Sequence, residues 1–582
     1  MQRSSIYSSS IPRDYNTLES IFGHSDNEDN EAAASISSHR NGTDDDHLAL
    51  PNRQSSIHSY SDTASRRQSF LDIQKPPQLH APIPVDYDSD SKDSSTIMTE
   101  LRIISIYLVP IYLTHLLEYS LNVASVLSVG HIDKMALAAM SLSSMTAAVT
   151  GFALIQGFAT GLDSLLATSY ASSNPQLCGT WTVRMGIVLS ILIVPIGTVW
   201  FNAERILLSI GQDAEVAHLA GTYLRYYIAS LPGFAGFELL RKFLQSCGNM
   251  HVPTIVLIII SPLNMLLQYL LVWRTSLGFI GSPIASAICI DLIALMLLLY
   301  IVFTPKVRHD TWGGFSYLVF RDLDVCFKLG ASAATMTLSE WFAWEGLAFA
   351  ASFISPTALA AQSVINTSSS ISYQLPSALS VASSVRIGTL MGKYLPNRAS
   401  AATKATVNLS FGIAFCNALI FLTFRNSFAK IFTSDADVIE LVAKILPLVA
   451  MFQFTDGTIS SCLGILRTTG RQLTGAVIQI TGFYIIGLPL AICMAFLPKI
   501  NPIAHWPWPN AQSDRLIGLW LGMSIALGLN VIAVLWIVSR INWDKECKLA
   551  DIRVKGTTSV EHTVDERTTP NERQPLLANN HV

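Results

Sequence analysis

Six carboxylates fall inside long apolar runs of this 582-residue chain: Glu118, Asp163, Asp291, Glu340, Glu345 and Asp456. An ionisable side chain costs about 2.5–3.5 kcal/mol at the centre of a membrane helix, so its default reading there is functional. Glu340 and Glu345 share the stretch "LSEWFAWEGLAFA". Five residues on a helix are about 140° of turn and ~7.5 Å of rise. The two therefore flank a cavity, or one faces the cavity and the other a neighbouring helix. Trp341 and Trp344 stand between them. Aromatic faces beside carboxylates suit organic cations through cation–π attraction; plain packing or an interface belt is the equal alternative. Glu118 has His115 one turn before it. It is either that histidine's hydrogen-bond partner or a transport group. Asp163 reads as a helix-end or loop residue and Asp291 as a buried hydrogen-bond acceptor. Asn366, Tyr373 and Gln374 add uncharged polar groups to one run, where helix–helix contact is the simpler role.

No Lys or Arg lies deep in the apolar runs, Arg225 being the nearest exception, so fixed ion pairs are not expected to neutralise these acids. Burial disfavours the charged form of a carboxyl. Such a group can hold a proton at neutral pH and release it when a cation approaches, which is the physical core of proton/cation exchange. Other chemistries are missing their residues. There is no G-x-x-x-x-G-K-[ST] for an ATP-driven pump, no H-E-x-x-H and no His/Cys cluster for a metal. The eight cysteines are scattered and read as small buried hydrophobes. No enzyme activity, metal or organic cofactor is expected; the proton is the coupling ion. A net charge of −3 gives no nucleic-acid signal.

Only 14% of residues are charged and half are hydrophobic. Apolar runs of roughly 20 residues, long enough to span a bilayer, follow one another from residue 102. The fold class is all-α integral membrane, with about twelve transmembrane helices. The first six are near 103–129, 136–160, 181–201, 216–238, 252–273 and 281–303. The others are near 326–353, 357–384, 404–424, 438–463, 474–497 and 515–539. Pro376 interrupts the run carrying Asn366 and is a candidate bending point. An internal repeat is visible: "ALAAMS" resembles "ALAAQS" with 358 − 136 = 222, and "QDAEV"/"SDADV" and "LQSCG"/"LRTTG" keep the same shift. The shift places Glu118 on Glu340, Val123 on Glu345 and Phe234 on Asp456. Glu345 and Asp456 are thus peculiar to the second half, and are expected to act together there. Six spans per half give two parallel, pseudo-symmetric lobes. The expected organisation is a polar tail over 1–98, lobes over 99–303 and 326–540, a linker over 304–325 and a second tail over 541–582. The tails are too polar to bury a core. Lys and Arg collect on the side that holds both tails, so both termini are expected in the cytosol. No apolar segment of the signal-peptide kind opens the chain. The sequon at Asn41 then lies out of reach of glycosylation.

At these residues the sequence resembles the eukaryotic type of the multidrug and toxic compound extrusion (MATE) family. The resemblance rests on "SVLSVGHIDKMALAAMSL", "GLDSLLATSYAS", "SEWFAWEGLAFAA", "ALAAQSVINTSSSISYQLPSALSVASSVRIGTLMG" and "DGTISSCLGILRTTGRQ", and covers about 99–540. It implies a V-shaped pair of six-helix lobes exchanging organic cations or other xenobiotics for protons. Carried over by position, it implies Glu340, Glu345 and Asp456 as the proton-coupling and cation-binding acids. Asn366 and Tyr373 fall on polar positions of the neighbouring helix. The family often has Gln where Glu118 stands, and "QAYGA" has become "TSYAS" at 168–172.

Further expectations concern location and partners. "ERQPLL", with Glu572, Leu576 and Leu577, matches an acidic dileucine sorting signal readable by an adaptor, which favours a vacuolar membrane over the plasma membrane. "SRRQSF" makes Ser69 a phosphorylation candidate. A monomer in lipid, meeting a small organic cation and protons, is expected. The competing readings are a lipid or lipid-linked oligosaccharide flippase, which needs cationic groups in its cavity, and a Na⁺-coupled antiporter. A membrane-embedded acyltransferase, needing a His/Asp or metal constellation, and a non-transporting receptor are more distant.

Overall fold

The computed structural model describes residues 96–312, 317–431, 435–497 and 511–552. The expectations for Ser69, Asn41, Glu572, Leu576 and Leu577 lie outside the described residues. Twelve long helical segments run in order: α1 Ile97–Gly130, α2 Met135–Ala171, α3 Leu177–Phe201, and α4 in two pieces, Ala214–Tyr227 and Ser230–Ser246. Then come α5 His251–Arg274, α6 Gly278–Phe303, α7 Leu323–Ser352 and α8 Pro356–Gly392. The last four are α9 Pro396–Thr423, α10 Ala436–Thr468, α11 Gln472–Phe496 and α12 Arg515–Ser539. Among the described residues there is no strand. Nine of these helices are long and apolar enough to cross a membrane. The other three, α4, α7 and α8, carry Glu238, Arg241 and Lys242, then Glu340 and Glu345, then Asn366, Tyr373 and Gln374. α4 falls short because it is broken into pieces of 14 and 17 residues, while α7 and α8 are long enough and carry their polar groups to the interior.

The 222-residue repeat reappears as repeated helix ends. Asp133 caps α2 by accepting from the Ala136 N–H, and Ser355 caps α8 by accepting from Ala358. Asp213 and Asp435 cap α4 and α10 in the same way. Each cap satisfies a backbone donor that the first helical turn leaves without a partner. After α4 and α10 the chain turns at Gly248 (φ 80°) and Gly470 (φ 76°), a left-handed conformation that favours glycine.

Two buried cores follow the two halves, with one exchange between them. The N-terminal half of α1 (Ile104, Leu108, Ile111) is buried in the core built from α7–α12. The start of α7 (Cys326, Ala334) is buried in the core built from α2–α6. The lobes are therefore interlocked near the end of the molecule where α1 and α7 begin. Small residues allow this: a Cβ on Gly161 would come within 2.8 Å of the Gly330 backbone, and one on Gly157 within 2.5 Å of Ala334. The stretch read as a linker holds a short helix, Pro305–Thr311, and Trp312 packs edge-on against Phe243 of α4 with centroids 6.0 Å apart.

Candidate functional site

One polar seam runs between α8 and α10. On α8, Asn366, Tyr373 and Ser380 recur every seven residues, and on α10 Asp456, Ser460 and Arg467 recur at four and seven. Both spacings return to nearly the same helix face. Ser460 Oγ donates to the Tyr373 hydroxyl at 3.2 Å. The Glu340 carboxyl of α7 lies near the same hydroxyl, and the charges of Glu340 and Asp456 both act on it. Asp456 is buried, with Glu340 as its acidic neighbour. Three helices thus bring two carboxyls and a phenol to one point. Among the described residues neither Glu340 nor Asp456 forms an ion pair.

The other residues singled out in the sequence separate into distinct places. Glu345 is half-buried and makes no hydrogen bond or ion pair among the described residues. The partnership expected of Glu345 with Asp456 falls instead to Glu340, because a five-residue step turns Glu345 away from the α8–α10 seam. Trp344 packs edge-on against Phe452 at 5.0 Å and tilted against Trp520 at 5.7 Å, so it is a core aromatic. Trp520 in turn donates to Gln362. Trp341 is 40% exposed. Asn366 is half-buried one heptad before Tyr373.

The expectation that no ion pairs neutralise the membrane carboxylates is overturned for Glu118 and Asp163, and holds for Glu340, Glu345 and Asp456 among the described residues. Arg241 of α4 donates to Glu118 at 2.7 Å and to Glu238 at 2.5 Å. Glu118 is therefore bound to Arg241 rather than to His115, whose Nδ1 is buried without a hydrogen-bond partner among the described residues. Asp163 lies in a buried 3₁₀ turn, Gly161–Ser164, and accepts from Lys242 at 2.7 Å and from Arg467 at 3.1 Å. Its role is an ion pair between the halves, not a loose loop. Glu100 at the start of α1 is fully buried between Arg386 of α8 (2.8 Å) and Arg398 of α9 (2.7 Å). Asp291 is exposed on α6, not buried, and packs closely against Gly233 of α4. Glu100 and Arg467 escape the sequence reading because each sits near a helix end, where sequence alone reads a charge as belonging to a loop; Glu238, in the middle of its helix piece, falls at the edge of the apolar run near 216–238. Their only signal is helical spacing: Arg467 follows Asp456 by eleven residues, three turns on the same face. Among the described residues no group of three or more His, Cys, Asp or Glu could hold a metal ion.

A two-lobed bundle of twelve helices, with unpaired carboxyls at its centre and ion pairs bolting its halves together, is built as a membrane transporter. The family model MatE matches residues 110–270 and 332–493, and the two matched segments begin 222 residues apart, the shift of the internal repeat. The chain belongs to this family of multidrug and toxin extrusion transporters. It is 36% identical over 455 residues to an uncharacterized transporter of Schizosaccharomyces pombe, covering 78% of this chain and 81% of that protein. It is 30% identical to multidrug and toxin extrusion protein 1 of Rattus norvegicus, covering 79% of each. The crystal structure of the eukaryotic MATE transporter AtDTX14 superposes with a TM-score of 0.73 at 26% identity, covering 79% of this chain and 99% of that one.

Proposed function

We propose that this chain is a proton-coupled antiporter for organic cations, and that Glu340 and Asp456 hold proton and substrate in turn. The observation that carries the reading is a contrast among the membrane acids. Glu100, Glu118, Glu238 and Asp163 are each tied to Arg or Lys, while Glu340 and Asp456 lie together on a tyrosine without an ion pair. A carboxylate already paired has little left to offer a visiting cation. Two neighbouring carboxylates without one repel each other when both are charged, and either a proton or a substrate cation relieves that repulsion. Tyr373 holds the pair in register through Ser460 and Glu340. Glu345, ~7.5 Å further along α7, meets an incoming cation first. Trp341 offers it an aromatic face. The name of the rat relative, multidrug and toxin extrusion protein 1, accords with xenobiotic cargo.

The lobes over 99–303 and 326–540 rock about the linker over 304–325, with both termini in the cytosol. The protein works as a monomer in a vacuolar membrane, loading cations against an acidic lumen. The decisive experiment is uptake of a fluorescent organic cation into proteoliposomes with an imposed pH gradient. Gradient-driven uptake supports the reading; uptake unchanged when the gradient is collapsed defeats it, and restoration by a Na⁺ gradient transfers it to the sodium-coupled class. Location is tested by replacing Leu576 and Leu577 with Ala, which should move the protein to the cell surface.

A further inference from the structure

Arg467 bridges an acid of the first lobe and a hydroxyl on the α8–α10 seam, Ser380, which lies one heptad from Tyr373. Its Nε donates to Asp163 Oδ2 at 3.1 Å across the lobe boundary, and its Nη2 donates to Ser380 Oγ at 2.7 Å. Its charge also acts on the Glu340 carboxyl. Both sides of the Asp163 contact are closed off from solvent, with side-chain exposures of 12% for Arg467 and 6% for Asp163. The surrounding junction is tight. Gln472 of α11 donates to the Gly161 carbonyl of α2 at 3.1 Å, and a Cβ on Gly392 of α8 would come within 2.5 Å of the Thr168 carbonyl of α2. Asp163 keeps a second cation, Lys242, on its other oxygen. It can therefore lose Arg467 without being stranded. A guanidinium presents five donors in a rigid fork and stays charged at every working pH. It is the group suited to share itself between two carboxylates.

We propose that Arg467 is the positioning residue that couples the charge of the Glu340–Asp456 pair to the closure of the two lobes. This rests on the reading of that pair as the exchange site. When the pair is negative, it draws the guanidinium toward α7 and weakens the bond to Asp163. When a proton or an organic cation neutralises the pair, Arg467 returns to Asp163 and the junction tightens. Charge at the site thus becomes a mechanical signal with one moving part. The other titratable groups around this junction are Lys242 on Asp163, Tyr373 beside the acid pair, His115 of α1, which feels Arg241 and Lys242, and the Glu118–Arg241–Glu238 cluster. None of these contacts Arg467 directly in the hydrogen bonds of the junction.

The test reads closure rather than transport. Thr168 is 2% exposed and its hydroxyl makes no hydrogen bond, so Thr168→Cys is a mild change that reports on the seam. It is introduced in full-length protein with the exposed Cys416 and half-exposed Cys493 replaced by Ser, and labelled with a maleimide at a series of pH values. Labelling is normalised to that of unfolded protein at each pH. The expected result is labelling that rises with pH as the acid pair becomes charged. Glu340→Gln should label slowly throughout, and Arg467→Met should lose the pH dependence. Arg467→Lys, which keeps the charge without the fork, should retain a weakened response and serves where the Met variant does not give monodisperse protein. His115→Gln should leave the profile unchanged. An unaltered profile in both Arg467 variants overturns the proposal, as does its disappearance in His115→Gln. Because labelling needs no substrate, failure of gradient-driven uptake with the labelling pattern intact would defeat the antiport reading alone. Intact uptake with an Arg467-independent profile would defeat this inference alone.

Discussion

Replacing Glu100 by Gln should unfasten the lobes at the end where α1 begins. Glu100 is wholly buried and accepts hydrogen bonds from Arg386 Nε and Nη2 at 2.8 and 3.1 Å and from Arg398 Nε and Nη2 at 3.0 and 2.7 Å. Glutamine keeps one acceptor oxygen, turns the other into a donor facing a guanidinium, and removes the negative charge. Removing one partner of a buried ion pair costs about 3–5 kcal/mol, because the remaining charge stays desolvated. At 1.4 kcal/mol per tenfold, that is about two to three and a half powers of ten in equilibrium. The molecule can recover much of this by parting the lobes and letting water reach the arginines, since Glu100 belongs to one repeat and both arginines to the other. The variant should therefore remain folded in detergent while maleimide labelling of Thr168→Cys rises by at least an order of magnitude at fixed pH. A Glu100→Gln protein with the labelling rate and melting temperature of its parent would refute both the energetic argument and the assignment of this cluster as an inter-lobe fastening.

Three further outcomes follow from the same geometry. Glu340→Gln and Asp456→Asn should each reduce gradient-driven cation uptake to background, whereas Glu345→Gln should raise KM more than it lowers the maximal rate; equal loss in all three would merge them into one site. Gly161→Val should open the seam, since its branched side chain meets the Gly330 backbone and overpacking of this kind costs about 1–3 kcal/mol; a thermal melt and the labelling rate read it. Gly248→Ala and Gly470→Ala should each lose about 1–2 kcal/mol, the cost of a left-handed conformation for a residue with a Cβ. Similar melting shifts for the two would confirm that the repeat extends to backbone geometry.

Helix number and repeat were legible because both are written in features of short range: hydropathy, caps and turn glycines. Asp133 and Ser355, or Gly248 and Gly470, announce a helix end without reference to anything distant. The carboxylates Glu340 and Asp456 were legible for a similar reason, since an acid in an apolar run is conspicuous alone. What could not be read was pairing. Glu340 and Glu345 look alike in sequence, and only the rotation of α7 against the α8–α10 seam distinguishes them. Arg241, Lys242 and Arg467 look like loop cations because they sit near helix ends, yet the close approach of the lobes buries them against acids far away in the chain.

The crossing of α1 into the opposite core has a consequence for how the protein is made. Glu100 waits for Arg386, 286 residues later, and Ile104, Leu108 and Ile111 wait for the same half of the chain. A helix that leaves the translocon among the first must stand in lipid, with a buried acid unmatched, while most of the protein is still being synthesised. The first lobe therefore cannot mature as an independent unit, and α7 repeats the dependence in the other direction by seating Cys326 and Ala334 in the first lobe's core. Truncation after α6 should leave an unfinished membrane domain, a substrate for quality control, rather than half a transporter.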